Sequence, residues 1–491
     1  MKRAKTPSYA LMLKLNTSKH DERILVRRFL CGQRIYNVLV RHCVKQLKNL
    51  RNDKQYQELL AIYIKNKKND MDNSHISKLL NKIVSSYGLT EYQLHSYVVL
   101  QQHRYKKDID SSTAQKIGTA VWKAVENVLY GDGKRIHFKK YDDFLTMEGK
   151  TNNTGIRYKD GKMIWNKLTV SVQHDKNDIY QQLALKNKVK YCRIKRMTIG
   201  TKYHYYIELV LEGIPPIKHI INDGETGLDI GTSTVAVVSS DGFCKLDVLA
   251  DSAASIEKEQ RKLLRKLDRS RRATNPDNYN PDGTVKKGKL KWNKSNTYKK
   301  TYIQYKNICR KRAAVVKQSH EMLANEILEH GSTVRSEKMS FKGLKKRSKE
   351  TKKNSKGKIC SKKRFGKSIQ SRAPAMLLDI INRKLQYVGK SIIYINTRKF
   401  KASQYNHTTD VYKKKKLSSR YTFVDNHKVQ RDLYSAFLIM NSNNTNDSAD
   451  RQKCMETFNQ FCRIHDNCIQ KLISNNRKYP LSMGLKYFVT C

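Results

Sequence analysis

Residues 8–15, with Tyr9-Ala-Leu-Met-Leu-Lys-Leu at their heart, read as a strand. From about residue 21 to 49 the apolar positions recur near every 3.6 residues. Ile24, Leu25, Phe29, Leu30, Val38 and Leu39 form the set, with Arg27, Arg28, Arg34 and Arg41 between them. Helical patterning, polar on most faces, continues to about Leu129 through Tyr56, Leu59, Leu60 and Ile64 and then Val121 and Val125. The period then drops to two. Gly155-Ile-Arg-Tyr-Lys-Asp160-Gly161-Lys-Met-Ile-Trp reads as an Asp-Gly hairpin, Leu168-Thr-Val-Ser-Val as a strand, and 191–197 with 203–211 as a pair turning at Gly200. Together with 8–15 these predict a small β-barrel interrupted by the helical block, and Pro215-Pro216 marks the way out of it.

Beyond Gly227 the pattern is strand, tight turn, strand (235–239), an Asp241-Gly242 turn and a third strand (244–249). This predicts an antiparallel meander with Asp229 on its first strand. A basic helix over 256–272 follows, with Ile256, Leu263, Leu264 and Leu267 as its apolar stripe. After a polar loop (274–296) a long helix is expected over 298–330. Residues 342–367 hold 13 Lys/Arg and one Glu and predict a mobile basic loop that orders on a polyanion. Pro374 opens an amphipathic helix (Leu377, Leu378, Ile381, Leu385, Val388), 391–395 reads as a buried strand, and helices are expected from Asp432 and over about 449–475.

Composition sharpens this picture. The 491 residues carry 99 Lys+Arg against 43 Asp+Glu, a net charge of +56 spread along the whole length. Such a chain repels itself when compact, and the natural compensating partner is a polyphosphate. No apolar run approaches the roughly 18 residues of a membrane span, and nothing after Met1-Lys-Arg-Ala-Lys-Thr resembles a signal peptide. No membrane partner is therefore expected. The 10 cysteines are scattered without a Cys-x-x-Cys pair, which argues against a disulfide framework and the usual zinc spacings. They read as reduced structural thiols in a cytoplasmic protein.

Against this background three acids stand in apolar settings: Asp229 in Thr226-Gly-Leu-Asp229-Ile-Gly-Thr-Ser, Glu337 in Val334-Arg-Ser-Glu337-Lys-Met, and Asp432 in Val429-Gln-Arg-Asp432-Leu-Tyr-Ser-Ala. Phosphodiester hydrolysis needs an activated water and a stabilised leaving oxygen, which two metal ions about 3.5–4 Å apart supply. Hard carboxylate oxygens select Mg²⁺ or Mn²⁺. Each acid taken alone has an ordinary reading: Asp229 as a turn residue, Glu337 paired with Arg335 or Lys338, Asp432 as an N-cap. Their order and context favour a shared site.

That order resembles the split RuvC-type nuclease of the transposon-encoded TnpB family and the related miniature type V CRISPR effectors. The matching segments are Gly227-Leu-Asp229-Ile-Gly231, Val334-Arg-Ser-Glu337 and Arg431-Asp432-Leu-Tyr-Ser-Ala436, and Arg34-Ile-Tyr-Asn37 after the opening strand is similar to the family's amino-terminal region. The resemblance implies an RNase H-like α/β nuclease domain in a multidomain α+β chain. It implies a wedge-like β-barrel over 1–15 and 155–220, a helical recognition block over 16–154, and a split RuvC-like domain over 221–491. It also implies guide RNA and target DNA as partners, Asp229, Glu337 and Asp432 as catalytic metal ligands, and residence in a prokaryotic cytoplasm near the nucleoid. Many relatives carry a four-cysteine zinc ribbon before the third motif. Here no cysteine lies between Cys360 and Cys454. Residues 401–428 are therefore expected to form a degenerate ribbon without structural zinc, with His407 and His427 as ordinary loop residues rather than ligands.

For backbone contacts to nucleic acid the sequence nominates Arg261, Arg265, Arg269, Arg271 and Arg272 on the basic helix, and Lys345, Lys346 and Arg347 in the basic loop. Three other readings compete. A nuclease-inactive RNA-guided repressor would have lost an acid. A sugar-kinase-like ATPase, prompted by Leu228-Asp-Ile-Gly-Thr-Ser, needs further Gly-rich segments downstream, and a DDE-type transposase does not match the motif contexts. The oligomeric state is left open.

Overall fold

The computed structural model describes residues 6–485 apart from 349, 352–353, 356, 358–359, 361–364, 417 and 476. The chain folds as two compact units, Met1–Pro216 and Ile217–Cys491.

In the first unit, strand β1 (Ser8–Lys14) alternates exposed and buried positions, so Tyr9, Leu11 and Leu13 enter the core. Five helices follow: α1 (Lys19–Asn52), α2 (Lys54–Lys68), α3 (Ser74–Ser86), α4 (Glu91–His103) and α5 (Ser111–Leu129). A reciprocal capping box between Ser18 and Asp21 starts α1, and Leu25, Phe29, Tyr36, Leu39, Cys43 and Leu47 bury one stripe of it. Arg28, which the pattern places among the polar positions, is buried with that stripe. Its Nη1 donates to the Trp165 carbonyl at 2.8 Å, and its guanidinium lies 4.6 Å from the Trp165 ring centre. The remaining elements are β2 (Thr146–Glu148), β3 (Ile156–Lys159), β4 (Lys162–Trp165), β5 (Leu168–Ser171), α6 (Ile179–Leu185), β6 (Val189–Ile199) and β7 (Lys202–Glu212). Asp160 and Gly161 both take positive φ, 49° and 72°, as the tight hairpin between β3 and β4 requires.

These strands do not close into the expected barrel. They form two open sheets, β1-β7-β6-β2 and β3-β4-β5, linked by the isolated bridge Leu15–Val172. Closure needs every neighbouring pair hydrogen-bonded around the ring. Among the described residues β2, only three residues long, does not pair with β3.

The second unit is built on one mixed sheet. Its meander is β8 (Glu225–Ile230), β9 (Thr234–Ser239) and β10 (Cys244–Val248). Helices α7 (Ala254–Thr274) and α8 (Asn296–Glu329) lead to β11 (Thr333–Glu337). Next come the short α9 (Phe341–Leu344), α10 (Gly366–Arg372), α11 (Pro374–Gln386) and β12 (Ile393–Ile395). The basic stretch 342–367 thus starts in α9 and ends in α10, and its residues 349, 352–353, 356, 358–359 and 361–364 lie outside the described residues. After α12 (Thr397–Phe400), two small hairpins, β13 (Tyr405–Asn406) with β14 (Val411–Tyr412) and β15 (Tyr421–Val424) with β16 (His427–Gln430), occupy the ribbon region. Helices α13 (Arg431–Met440) and α14 (Arg451–Ser474) follow.

The strand order is β10-β9-β8-β11-β12, antiparallel within the meander and parallel from β8 through β11 to β12. Both faces are covered. Leu228, Ile230, Val235 and Val237 pack with Leu323 and Ile327 of α8 and Leu377 and Ile381 of α11. Ala236 and Val238 pack with Leu433 and Phe437 of α13 and Phe458 and Phe461 of α14. Burial on both sides is why β9 reads as a continuous apolar run rather than an alternating one. The stripe expected on α7 is narrower than its pattern: Leu267 is buried, whereas Leu264 is 44% exposed.

A candidate metal centre at the strand ends

Period two along β8 puts Leu228 and Ile230 against α8 and α11, which leaves Gly227 and Asp229 on the α13 face. β11 runs parallel to β8 with Arg335 opposite Gly227 and Ser336 opposite Leu228. One further step of that register sets Glu337, the last residue of β11, beside Asp229. Two acids therefore share one face at the carboxyl ends of adjacent parallel strands, a position where open α/β sheets form crevices.

The third acid arrives through helix packing. A Cβ on Gly227 would lie 2.0 Å from the Ala436 carbonyl and 2.5 Å from the Met440 nitrogen. Only glycine lets the backbone of α13 come this close to β8. Asp432 lies one turn before Ala436, in the first turn of α13, where the helix dipole favours negative charge. It is not the N-cap. Gln430 is, with its side chain accepting from the Leu433 N–H at 2.8 Å. At the other end of α13, Arg335 Nη1 bonds Glu225 at 2.9 Å and the Met440 carbonyl at 3.3 Å, and Glu225 also pairs with Lys453 of α14. Arg335 is thus committed to fixing the helix rather than to neutralising Glu337.

The electrostatics follow from this convergence. Burial, then the charges of Asp432 and Glu337, push the Asp229 carboxyl well above its ordinary range, while Arg431 and the Ser435 hydroxyl pull the other way. Burial likewise raises Glu337. Asp432 accepts from Arg431 Nε and Nη2 and from Gln430 Nε2, each at 3.4 Å. Among the described residues, three half-buried carboxylates with Arg431 as the neighbouring guanidinium form an undercompensated cluster of hard oxygen donors. That donor set fits Mg²⁺ or Mn²⁺. Gln430 and Ser435 are the members of this neighbourhood that sequence reasoning missed; neither residue type at its position carried a signal.

The nominated basic residues divide. Arg265 and Arg269 are exposed on α7. Arg261 pairs with Glu257 at 2.5 Å. Arg271 and Arg272 both bond Asp268 at 2.8 Å, and Arg271 lies 5.3 Å from the Trp292 ring centre. Arg272 donates to the Gly283 carbonyl at 2.9 Å and lies 4.6 Å from the Tyr279 ring centre, so these two guanidiniums hold the loop between α7 and α8. Lys345, Lys346 and Arg347 are exposed just after α9.

Of the two histidines of the ribbon region, His407 lies in the turn between β13 and β14, as expected of a loop residue, whereas His427 lies on a strand. His407 is fully buried, its Nδ1 2.7 Å from the Tyr434 hydroxyl, and burial pushes its imidazole down to about 4. His427, on β16, lies 3.1 Å from Asp466 Oδ1. Among the described residues no helix is long and apolar enough to cross a membrane.

No family model matches the chain, and no curated protein matches it. Among solved structures it is similar to a Cas12f1–sgRNA–target DNA complex, with a TM-score of 0.42 and 13% identity over 89% of this chain and 99% of that one. It is also similar to a CRISPR–Cas12f ternary complex (TM-score 0.26, 14% identity, 86% of this chain and 82% of that one). A third similar structure is a Cas12i1 R-loop complex before target DNA cleavage (TM-score 0.27, 9% identity, 92% and 66%).

Proposed function

We propose that this chain is an RNA-guided DNA endonuclease whose phosphodiester-cleaving site is Asp229, Glu337 and Asp432. The observation that carries the reading is the convergence of these three acids at the β8–β11 ends, where burial first and then the charges of Asp432 and Glu337 raise the Asp229 carboxyl. Acids placed so that they repel one another are costly unless a cation joins them. A bound pair of divalent ions would supply an activated water and a stabilised leaving oxygen. The protein's own part is to hold Asp229 and Glu337 on rigid strand ends, bring Asp432 over on α13, and keep Arg431 beside it as a fixed positive charge.

The guide and target follow from two further supports. A net charge of +56 calls for a large polyanion, and the three motifs resemble the RuvC-type nucleases that use a guide RNA. Base pairing would read the target, while the protein reads a short flanking duplex. Exposed Arg265, Arg269, Lys345, Lys346 and Arg347 are the backbone contacts proposed for it. The mixed sheet, covered by helices on both faces, supports the RNase H-like reading of this unit.

The test is to purify the full chain with its bound RNA, sequence that RNA, and assay Mg²⁺-dependent cutting of matching DNA. Asp229→Ala and Asp432→Ala should each abolish cutting while the RNA stays bound. Cutting at the wild-type rate by either variant refutes the site. Nucleic-acid affinity should fall steeply with salt as counterions are released; a flat response refutes the polyanion footprint.

A further inference from the structure

His427, His465 and Asp466 bring one ligand atom each within 4.8 Å of one another, a grouping that invites a metal. The hydrogen bonds argue for a different use. The backbone N–H of Gln430 can only donate, and it points at His465 Nε2 at 2.8 Å. Nε2 is therefore the acceptor, and the proton of the neutral ring sits on Nδ1, 2.8 Å from Asp466 Oδ1. Burial favours that neutral ring by lowering the imidazole's affinity for a second proton, with Asp466 opposing. A metal on Nδ1 would leave His465 with no proton at all. Asp466 Oδ1 also receives His427 Nε2 at 3.1 Å. The three side chains thus complete one another by hydrogen bonding alone.

What they hold is the backbone of Gln430, at the junction of β16 and α13. The Gln430 side chain is buried and used twice. Its Oε1 accepts from Leu433 N–H at 2.8 Å, and its Nε2 faces Asp432 Oδ2 at 3.4 Å and the Met483 carbonyl at 3.5 Å. Asp432 Oδ1 is turned to Arg431. The geometry points to Gln430 as a positioning residue that sets the Asp432 carboxylate, itself anchored through His465 and Asp466. This rests on the reading of Asp432 as a metal ligand. Groups that orient ligating carboxylates from behind typically matter about 10–100-fold in metal affinity or activity.

The experiment uses Mn²⁺ as the probe, titrated into the full chain and followed by electron paramagnetic resonance, with the melting temperature measured in parallel. Gln430→Asn keeps a good N-cap acceptor for Leu433 but withdraws the amide from Asp432. It should weaken Mn²⁺ binding about 10-fold or more with the melting temperature held. The effect should vanish in an Asp432→Asn background, as expected when one residue acts through the other. Wild-type Mn²⁺ affinity in Gln430→Asn, with Asp432→Asn impaired, overturns the positioning role alone. Wild-type affinity in Asp432→Asn overturns the proposed site along with it. Zn²⁺ bound by the wild type and lost in His427→Ala would assign the three side chains to a metal and overturn their role in anchoring Gln430.

Discussion

In the first unit Glu148 and Glu208 sit among cations. Lys116 lies 2.8 Å and Arg193 2.7 Å from Glu148, Arg193 reaches Glu208 at 3.0 Å, and Lys195 pairs with Glu208 as well. In the second unit Asp229 sits among Glu337 and Asp432. Burial works to raise all of these carboxyls, yet the ion pairs hold Glu148 and Glu208 below the usual range whereas Asp229 and Glu337 stay above it. All four are carboxyls withdrawn from water, Asp229 and Glu337 more deeply so, and compensation differs as well. A compensated cluster ties β2, β6, β7 and α5 together and asks for nothing further. An undercompensated one is stable only to the extent that packing forces it, and it gains from a cation.

The strongest way to break this contrast is to release the packing. Gly227→Ala puts a methyl into the α13 backbone and should cost about 3 kcal/mol by overpacking, moving Asp432 away and abolishing metal-dependent cutting. A chemical melt with a cleavage assay checks both, and unaltered cutting would show that the close approach is not what assembles the site. Next in size, Arg193→Met removes the cation shared by Glu148 and Glu208 and should destabilise by about 2 kcal/mol, leaving Mn²⁺ binding unaffected. Smaller and of opposite sign, Asp229→Asn relieves the repulsion and should stabilise the metal-free protein by about 1 kcal/mol. The same change should abolish the stabilisation that added Mg²⁺ gives the wild type.

The smallest effect is in pH. Asp229, raised from 3.8, and Glu337, raised from 4.5, keep protons in the folded state that the unfolded chain has released. The metal-free second unit should therefore lose stability as pH rises from those ordinary values through the folded ones. Glu148 and Glu208, lowered from 4.5, act the other way. Their contribution is fully present above 4.5 and lost as pH falls through the folded values. Hydrogen exchange on amides of β6 should show protection rising as pH climbs to 4.5 and level beyond it, whereas amides of β8 should lose protection as pH rises above that value. Parallel slopes would dissolve the contrast.

Much of this was legible in the chain. The meander and the helices at 298–330 and from Pro374 follow from apolar period alone, since each element buries one stripe or one face. The three acids stood out because carboxylates in apolar runs need a reason. The expected barrel does not form because β2, only three residues long, does not pair with β3, and the period-two pattern of each strand does not say which sheet edges meet. Arg28 was misplaced and the burial of His407 went unread because a polar residue's burial depends on partners, here Trp165 and Tyr434, on other elements.

Alternation on β8 and β11 determined by itself that Asp229 and Glu337 would leave their strands on one defined face. Glycine at 227 left that position of β8 without a side chain but did not say what would approach it. The tertiary structure decided that α13 does, that Asp432 is the acid it delivers, and that Gln430 and His465 stand behind it. Local pattern fixes direction within an element, whereas distance between elements is settled only when backbones separated by some two hundred residues pack together.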